Sequence, residues 1–566
     1  MNSNVIHLLA ELCAEKGIQD VVICPGSRSA PLTLAFIRNS RFTSRTFSDE
    51  RSAAFIALAM AQQTGKPVVL ICTSGSAAYN FAPAVAEAFF QEVPLIVFTA
   101  DRPREWIDQR DGQTIRQENI YGNHVKRFFE LPQEYSHPDG GWHANRIVNE
   151  AINLSGAEPK GPVHINAPFR EPLYTIPPIH ISKTPPRNII ATPTNQILTE
   201  SQWDGLTKAL SQFRKILIVP GQQNPSSQLL ATLSSFHKQH RWPVVGDILS
   251  NFHSLPFLCR HADAFLGQMP KPLKQSLQPD LLITFGKSLV AKNIKLFLRG
   301  SSQVEHWHIQ SHLETADTFQ SLTRIIHVTP EYFFSQLQVR ATTHQVERHA
   351  YAEEWQQHEL QTGNAIDDFF EDNPQGEFAF LKKVIHSLPE KCNLHLANSM
   401  SVRYANHIGL GKSHQSVNVY SNRGTSGIDG CTSTAVGHAL KSEVPNVLIT
   451  GDQAFFYDRN AFWHNYQLPN LFVVLINNHG GIIFNMIDGP GGLPESEEFF
   501  ITRQALNAKS LAKEFGFFHG DPQTSSMQAF FKPDGKVKIM EMESTQASNK
   551  KIFEAFKNHI KQSYEA

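Results

Sequence analysis

Two oxygen-bearing side chains, Asp452 and Asn478, carry the strongest chemical signal in the chain. Asp452 closes the apolar run VLITGD (447–452), and Asn478 closes LFVVLINN (471–478). The stretch between them, roughly Ala454–Leu468, reads as a helix. A strand–helix–strand unit this short makes two parallel, nearly adjacent strands. Both side chains then sit at carboxyl ends of strands, where open α/β sheets bind ligands. An Asp carboxylate, an Asn amide oxygen and a nearby backbone carbonyl are hard donors. They suit an octahedral Mg²⁺ whose other positions are filled by water and phosphate oxygens. Gly451 lets the backbone approach a diphosphate, and the helix start after Gln453 adds amide donors. A lone Gly-Asp would be only a turn, but here both halves lie on one unit.

A second group of acids lies in Phe47-Ser48-Asp49-Glu50-Arg51. A strand-like RTF precedes it and a small-residue helix, Ser52–Gln63, follows. Acids at a helix start complement its dipole. One of them is also free to act as a base, and spacing excludes neither Asp49 nor Glu50. Four arginines sit in small-residue loops after strand-like runs: Arg28 in PGSRSAP, Arg102 in TADRP, Arg403 in NSMSVR and Arg423 in SNRG. A guanidinium grips a carboxylate through two parallel hydrogen bonds. One such arginine would read as a salt bridge, whereas four point to substrates with several carboxylates.

The elements that must position these residues are continuous apolar runs separated by helices. The runs include Asp20–Cys24, Val68–Cys72, Leu95–Thr99, Ile216–Val219, Leu281–Phe285, Val304–Ile309, Leu394–Ala397 and Val417–Tyr420. Such runs mean parallel sheets covered on both faces. Prolines at 172, 177, 178, 185, 186 and 193 mark a linker. A polar helical stretch (345–365) leads through Asp372-Asn373-Pro374 into a last block. The expected fold is therefore α/β, with three doubly wound parallel-sheet domains at 1–175, 196–340 and 375–566. Residues 176–195 and 341–374 are the linkers.

Composition narrows the function classes. Of 566 residues, 41% are hydrophobic and 18% charged, which is ordinary for globular domains. Fifty-one basic side chains face 52 acidic ones, so there is no basic field for nucleic acid. Apolar runs such as Leu471–Ile476 are strand-sized, far short of a membrane span. The first 17 residues lack the basic start of a signal peptide. Six cysteines without a CxxC pair fit buried thiols in a reducing cytoplasm. Gly411-Lys412-Ser413 resembles the end of a phosphate-binding loop, but position 406 is Asn where Gly is required. The 26 histidines form no HExxH pattern. Phe455, Phe456, Tyr457, Phe462 and Trp463 read as helix core.

The GDQ…NN stretch resembles the thiamine diphosphate (ThDP) fingerprint, with Gln453 in place of its last glycine. The remaining loops resemble the menaquinone-pathway MenD family, the 2-succinyl-5-enolpyruvyl-6-hydroxy-3-cyclohexene-1-carboxylate (SEPHCHC) synthases. CPGSRSAPL (24–32), SDERSAAF (48–55), TSGSAAYN (73–80), TADRP (99–103) and GQTIRQ (112–117) carry that resemblance in the first third. EFAF (377–380), ANSMSVR (397–403), SNRGTSGIDG (421–430), GDQAFFYD (451–458) and INNHGGIIF (476–484) carry it in the last.

The resemblance implies decarboxylation of 2-oxoglutarate and addition of the resulting succinyl semialdehyde carbanion to isochorismate. It makes Glu50 the catalytic acid that activates the coenzyme, with Asp49 as its competitor. Gly75, Asn80, Ile428, Gly451, Asp452, Gln453, Asn478 and Ile483 surround ThDP. Asp452, Asn478 and the Gly480 carbonyl bind Mg²⁺ or Mn²⁺. Ser399 and Arg403 hold substrate carboxylate near the coenzyme. Ser27, Arg28, Arg102 and Gln113 line the isochorismate side, with Lys292, Arg423 and Phe484 closing the site. The family's Lys-Arg pair in the middle domain is Lys292-Asn293 here, so Lys287, Lys295 or Arg299 supplies the second cation or none does. The family also implies active sites between chains, hence at least a homodimer and by expectation a homotetramer. Another ThDP-dependent 2-oxoacid enzyme, of the acetolactate synthase or decarboxylase type, is the alternative, and the clustered arginines argue against it.

Overall fold

The apolar runs become buried strands in three parallel six-stranded sheets. A computed structural model describes residues 3–174, 185–301, 304–341, 345–486, 490–523 and 526–565. The expected linker prolines Pro177 and Pro178 lie outside these residues, and 185–199 form neither helix nor strand.

The first sheet contains β1 (Asp20–Ile23), β2 (Thr43–Thr46), β3 (Val68–Cys72), β4 (Leu95–Asp101), β5 (Phe128–Glu130) and β6 (Val163–Pro168). The second contains β7 (Ile216–Pro220), β8 (Val244–Val245), β9 (Leu258–Cys259), β10 (Leu281–Phe285), β11 (Glu305–Ile309) and β12 (Leu322–Ile326). The third contains β13 (Asn393–Leu396), β14 (Asn418–Tyr420), β15 (Asn446–Gly451), β16 (Leu471–Asn477), β17 (Phe518–Gly520) and β18 (Lys538–Glu543). The strand orders are β2-β1-β3-β4-β6-β5, β12-β11-β10-β7-β8-β9 and β14-β13-β15-β16-β18-β17. The first and third orders are the same when counted within each sheet.

Alternation along the strands divides the side chains between two cores. Val22, Leu70 and Val97 face one side of the first sheet, and Val21, Val69 and Ile96 the other. The first of these cores continues into the third sheet through Leu448 and Val473. Its centre is the packing of helix Glu50–Thr64 on helix Cys431–Ala439. Small residues permit that approach: a Cβ on Gly437 would stand 2.5 Å from the Ile56 carbonyl oxygen.

Three details differ from expectation. The helix after Asp452 spans only Asp452–Tyr457, followed by a 3₁₀ turn at Arg459–Phe462. It stops at Asp458, whose carboxylate turns inward to accept from Ser433 N and Oγ at 2.7 and 2.8 Å. Of the aromatic group beside it, Phe455 and Phe462 are core, but Tyr457 and Trp463 are more than half exposed (53% and 57%). The polar stretch after 341 is a 28-residue helix, Gln345–Asp372. It buries Trp355 in the middle core and Phe369 in the last, so it joins two domains by packing. All six cysteines are buried and unpaired. Among the described residues no helix is long and apolar enough to cross a membrane.

Candidate active site

β15 and β16 are parallel neighbours, with Gly451 opposite Ile476. Asp452 and Asn478 therefore emerge side by side at one sheet edge, 2% and 5% exposed. Burial pushes the Asp452 carboxyl upward, opposed by a 2.7 Å hydrogen bond from Gln504 Nε2. Among the described residues no lysine or arginine pairs with it. The Asn478 amide nitrogen donates to Glu377 Oε2 at 3.1 Å, which fixes the amide so that its oxygen is the free donor atom. Among the described residues that oxygen accepts only from Gln546 Nε2, at 3.5 Å. Among the described residues no group of three His, Cys, Asp or Glu is arranged for a metal. A cation here would thus need the Asn478 and backbone oxygens beside Asp452. A buried carboxylate without a lysine or arginine partner among the described residues, next to an oriented amide oxygen, fits a divalent ion.

Glu377 has no exposed surface, and it was not expected as a site residue. Its carboxylate also accepts from Tyr404 Oη (2.8 Å) and Ser544 Oγ (3.1 Å). Burial raises its carboxyl, and these donors oppose the shift. The only sequence signal was an acid inside the otherwise apolar EFAFL run.

These residues form one wall of a cleft of ≈ 450 Å³, within the range of small-molecule sites. Ser399, Arg403, Arg423, Ile428, Gly451, Gln453, Gly480, Ile483 and Phe484 complete it. Ser399 adopts φ 74°, and its carbonyl receives the Arg403 guanidinium. Arg423 donates to Asn398 Oδ1 at 2.8 Å, while its Nε is buried without a partner among the described residues. Burial lowers the pKa of Arg403, and the facing Arg423 lowers it further. Two guanidiniums lining one cleft make a site for anions.

The other expected residues lie elsewhere in the same chain. Ser27, Arg28, Gly75, Arg102 and Gln113 follow β1, β3 and β4, at the carboxyl edge of the first sheet. Gly75 adopts φ 87°, and a Cβ there would stand 3.4 Å from Gln113 Cα. Asn80 is exposed at the end of helix Ser76–Asn80. Arg28 is buried and donates to the Phe169 carbonyl and Glu171 Oε1, both at 3.0 Å. Arg102 lies 3.7 Å from the same Glu171 oxygen. Asp49 is the N-cap of helix Glu50–Thr64, accepting from Ser52 N at 3.0 Å, and its other oxygen accepts from Asn460 at 2.7 Å. Glu50 is half-buried at the first position of that helix, where its charge acts on the Cys72 thiol. In the middle domain, Lys292 is exposed at the start of helix Lys292–Arg299. Asn293 is occupied with Asp263, Lys287 with Glu92 and Arg299 with the Thr318 carbonyl. Lys295 is half-buried, its pKa lowered by burial and then by Arg423.

Comparisons with known proteins give the family of the chain. Residues 3–120 match the N-terminal TPP-binding domain of thiamine pyrophosphate enzymes, and 186–396 match the thiamine pyrophosphate middle domain. A SEPHCHC synthase of Cytophaga hutchinsonii is 45% identical over 99% of both chains. That of Flavobacterium johnsoniae is 39% identical over 91% of both, and that of Porphyromonas gingivalis 35% identical over 98% of this chain and 97% of its own. The chain belongs to the SEPHCHC synthase family. It is accordingly a thiamine diphosphate-dependent enzyme, and its three parallel sheets are the three-domain fold of that class. Within the family's fold, the arginine-bearing cleft lies at the Asp452–Asn478 edge.

Proposed function

We propose that the chain decarboxylates 2-oxoglutarate and joins the succinyl semialdehyde unit to the ring alkene of isochorismate, releasing CO₂. The observation that supports this reading is the cleft lined by both Arg403 and Arg423 beside Asp452 and Asn478. Both substrates bring carboxylates, and no acidic side chain among the described residues forms an ion pair with either arginine. A simple apolar 2-oxo acid would leave one of these cations without a carboxylate to grip.

Thiamine diphosphate, when bound, supplies the nucleophilic carbon and the electron sink for decarboxylation. The protein's part is to bind, bend and protonate. Asp452, Asn478 Oδ1 and the Gly480 carbonyl would hold Mg²⁺ or Mn²⁺, and the backbone at Gly451–Gln453 would meet the diphosphate. Ile428 and Ile483 give the coenzyme rings an apolar seat, which strengthens charge interactions within the cleft. Asp49 is committed to its cap, so Glu50 is the acid left to exchange a proton with the aminopyrimidine nitrogen. Ser399 and Arg403 would hold the 2-oxoglutarate carboxylate, and Arg423, Phe484 and a middle-domain lysine (Lys292 or Lys295) would close over isochorismate. The cleft lining lies within residues 377–502 and holds none of Glu50, Gly75, Asn80, Ser27, Arg28, Arg102 and Gln113; as the family resemblance implies, these would reach it from a second copy of the chain. The working unit is then at least a homodimer, with a homotetramer as a pair of dimers. Buried, unpaired cysteines suit a cytoplasmic site of action.

The test is substrate choice. With ThDP and Mg²⁺, isochorismate should be consumed in the presence of 2-oxoglutarate and not of pyruvate. Turnover of pyruvate with isochorismate untouched would replace this reading with an acetolactate synthase or decarboxylase type of activity.

A further inference from the structure

Glu87 has no exposed surface and no cationic side chain within ion-pair distance among the described residues. A buried carboxylate is tolerated only when donors surround it. Here the donors come from far along the chain. Gly424 N donates to Oε1 at 2.8 Å, and Thr425 N and Oγ1 both donate to Oε2 at 2.6 Å. Gln91, one turn later at the C-cap of helix Ala82–Phe90, donates to Oε1 as well. Gly424 is needed for this approach, since a Cβ there would lie 2.7 Å from the Glu87 carbonyl oxygen. The carboxylate therefore reads two consecutive backbone N–H groups of a loop in another domain, as a bound anion would. The same loop is held three residues earlier, where the Ser421 carbonyl accepts from Gln91 (3.3 Å) and from Gln222 of the middle domain (3.0 Å).

Arg423 and Ile428 are carried by this loop, and both line the cleft. Arg423 lies between the two anchor points; burial lowers its pKa, and the Asp247 charge and then the Glu87 charge oppose that shift. We propose that Glu87 is a positioning residue: from the first domain it fixes the 421–428 loop of its own chain so that Arg423 and Ile428 present to the cleft. Glu87 itself touches neither substrate nor coenzyme. The functional half of this inference rests on the cleft being the substrate and coenzyme site; the loop-anchoring half does not.

The experiment uses the full-length enzyme and Glu87→Gln. Hydrogen exchange at Gly424 and Thr425 should accelerate about tenfold or more, as expected when a charge-assisted bond is lost. Exchange within β15 should stay as in the wild type. The KM for isochorismate and the ThDP concentration needed for half-maximal tryptophan quenching should rise about tenfold, while kcat falls less. Glu87→Gln combined with Arg423→Ala should be little worse for KM than Arg423→Ala alone. Thr425→Val, which removes only the hydroxyl donor, serves if Glu87→Gln folds poorly, and should give a smaller change of the same kind. Unchanged exchange at Gly424 and Thr425 overturns the anchor. Accelerated exchange with unchanged KM and ThDP affinity overturns the positioning role. A wild type that leaves isochorismate untouched refutes the proposed reaction instead, and the exchange and ThDP readouts still decide the case of Glu87.

Discussion

Asp49 and Glu50 are adjacent acids whose surroundings give them different work. Asp49 accepts from Ser52 N and Asn460, so its charge is spent on the helix start. Asp49→Ala should cost about 1 kcal/mol of stability, the usual loss of an N-cap, seen as a lower thermal midpoint. Glu50→Gln should leave Mg²⁺-dependent coenzyme binding intact and remove most turnover. Near-normal kcat in that variant would take Glu50 out of the reaction. Glu377 supports a second residue-scale prediction, because its carboxylate holds the Asn478 amide in one orientation. Glu377→Ala should free that amide and weaken Mg²⁺ binding about 10- to 100-fold. A Mg²⁺ titration of ThDP-induced fluorescence quenching measures this, and an unchanged midpoint would separate Glu377 from the metal site. At this scale Asp452 and Asn478 were legible because each ends an apolar strand. Glu377 was not, because its role arises from a contact 101 positions away in the chain. Nor could spacing rank Asp49 against Glu50, since capping depends on which side chain turns back to Ser52.

Elements legible in the sequence were those buried on both faces. β3, β10 and β16 are continuous apolar runs, and folding leaves them no choice of face. β6 was missed because His164 and Asn166 make it read as polar; inside the sheet they bond Thr99 at 2.7 and 2.9 Å. The helix expected over 454–468 was overextended for a similar reason, since buried Asp458 ends it by capping another helix at Ser433. That carboxylate also makes a pH prediction. Burial raises it to about 7 from 3.8, against the Ser433 hydrogen bonds and the Arg51 charge. The folded protein therefore holds this proton between pH ~4 and ~7 while the unfolded chain has lost it. The contribution to stability is fully present below ~4 and lost as pH rises through ~7. Asp458→Asn removes the titration and should flatten the fall in thermal midpoint across that window. A variant whose midpoint falls with pH as steeply as the wild type's would show that Asp458 is ionised throughout.

At the scale of the molecule, three sheets are tied by helices and one question is which chains share a site. The residues of the first sheet edge and those of the Asp452 cleft lie in different parts of one chain, and the proposed reaction needs one coenzyme to touch both. About 400 positions separate Glu50 from Asp452, and no local pattern could tell whether they meet in one chain or across two. Mixing two inactive variants decides it. Glu50→Gln keeps the metal edge and lacks the acid; Asp452→Ala keeps the acid and lacks the metal edge. If each site takes Glu50 from one chain and Asp452 from the other, a hybrid dimer has one site with both defects and one site with neither. Random re-association makes about half the dimers hybrid, so the mixture should recover about one quarter of wild-type activity from two dead parents. Native mass spectrometry, with a size tag on one variant, reports whether hybrids have formed. Hybrids that form and stay inactive would mean that Glu50 serves no site in a second copy, because a site built within one chain is broken in every protomer of that mixture.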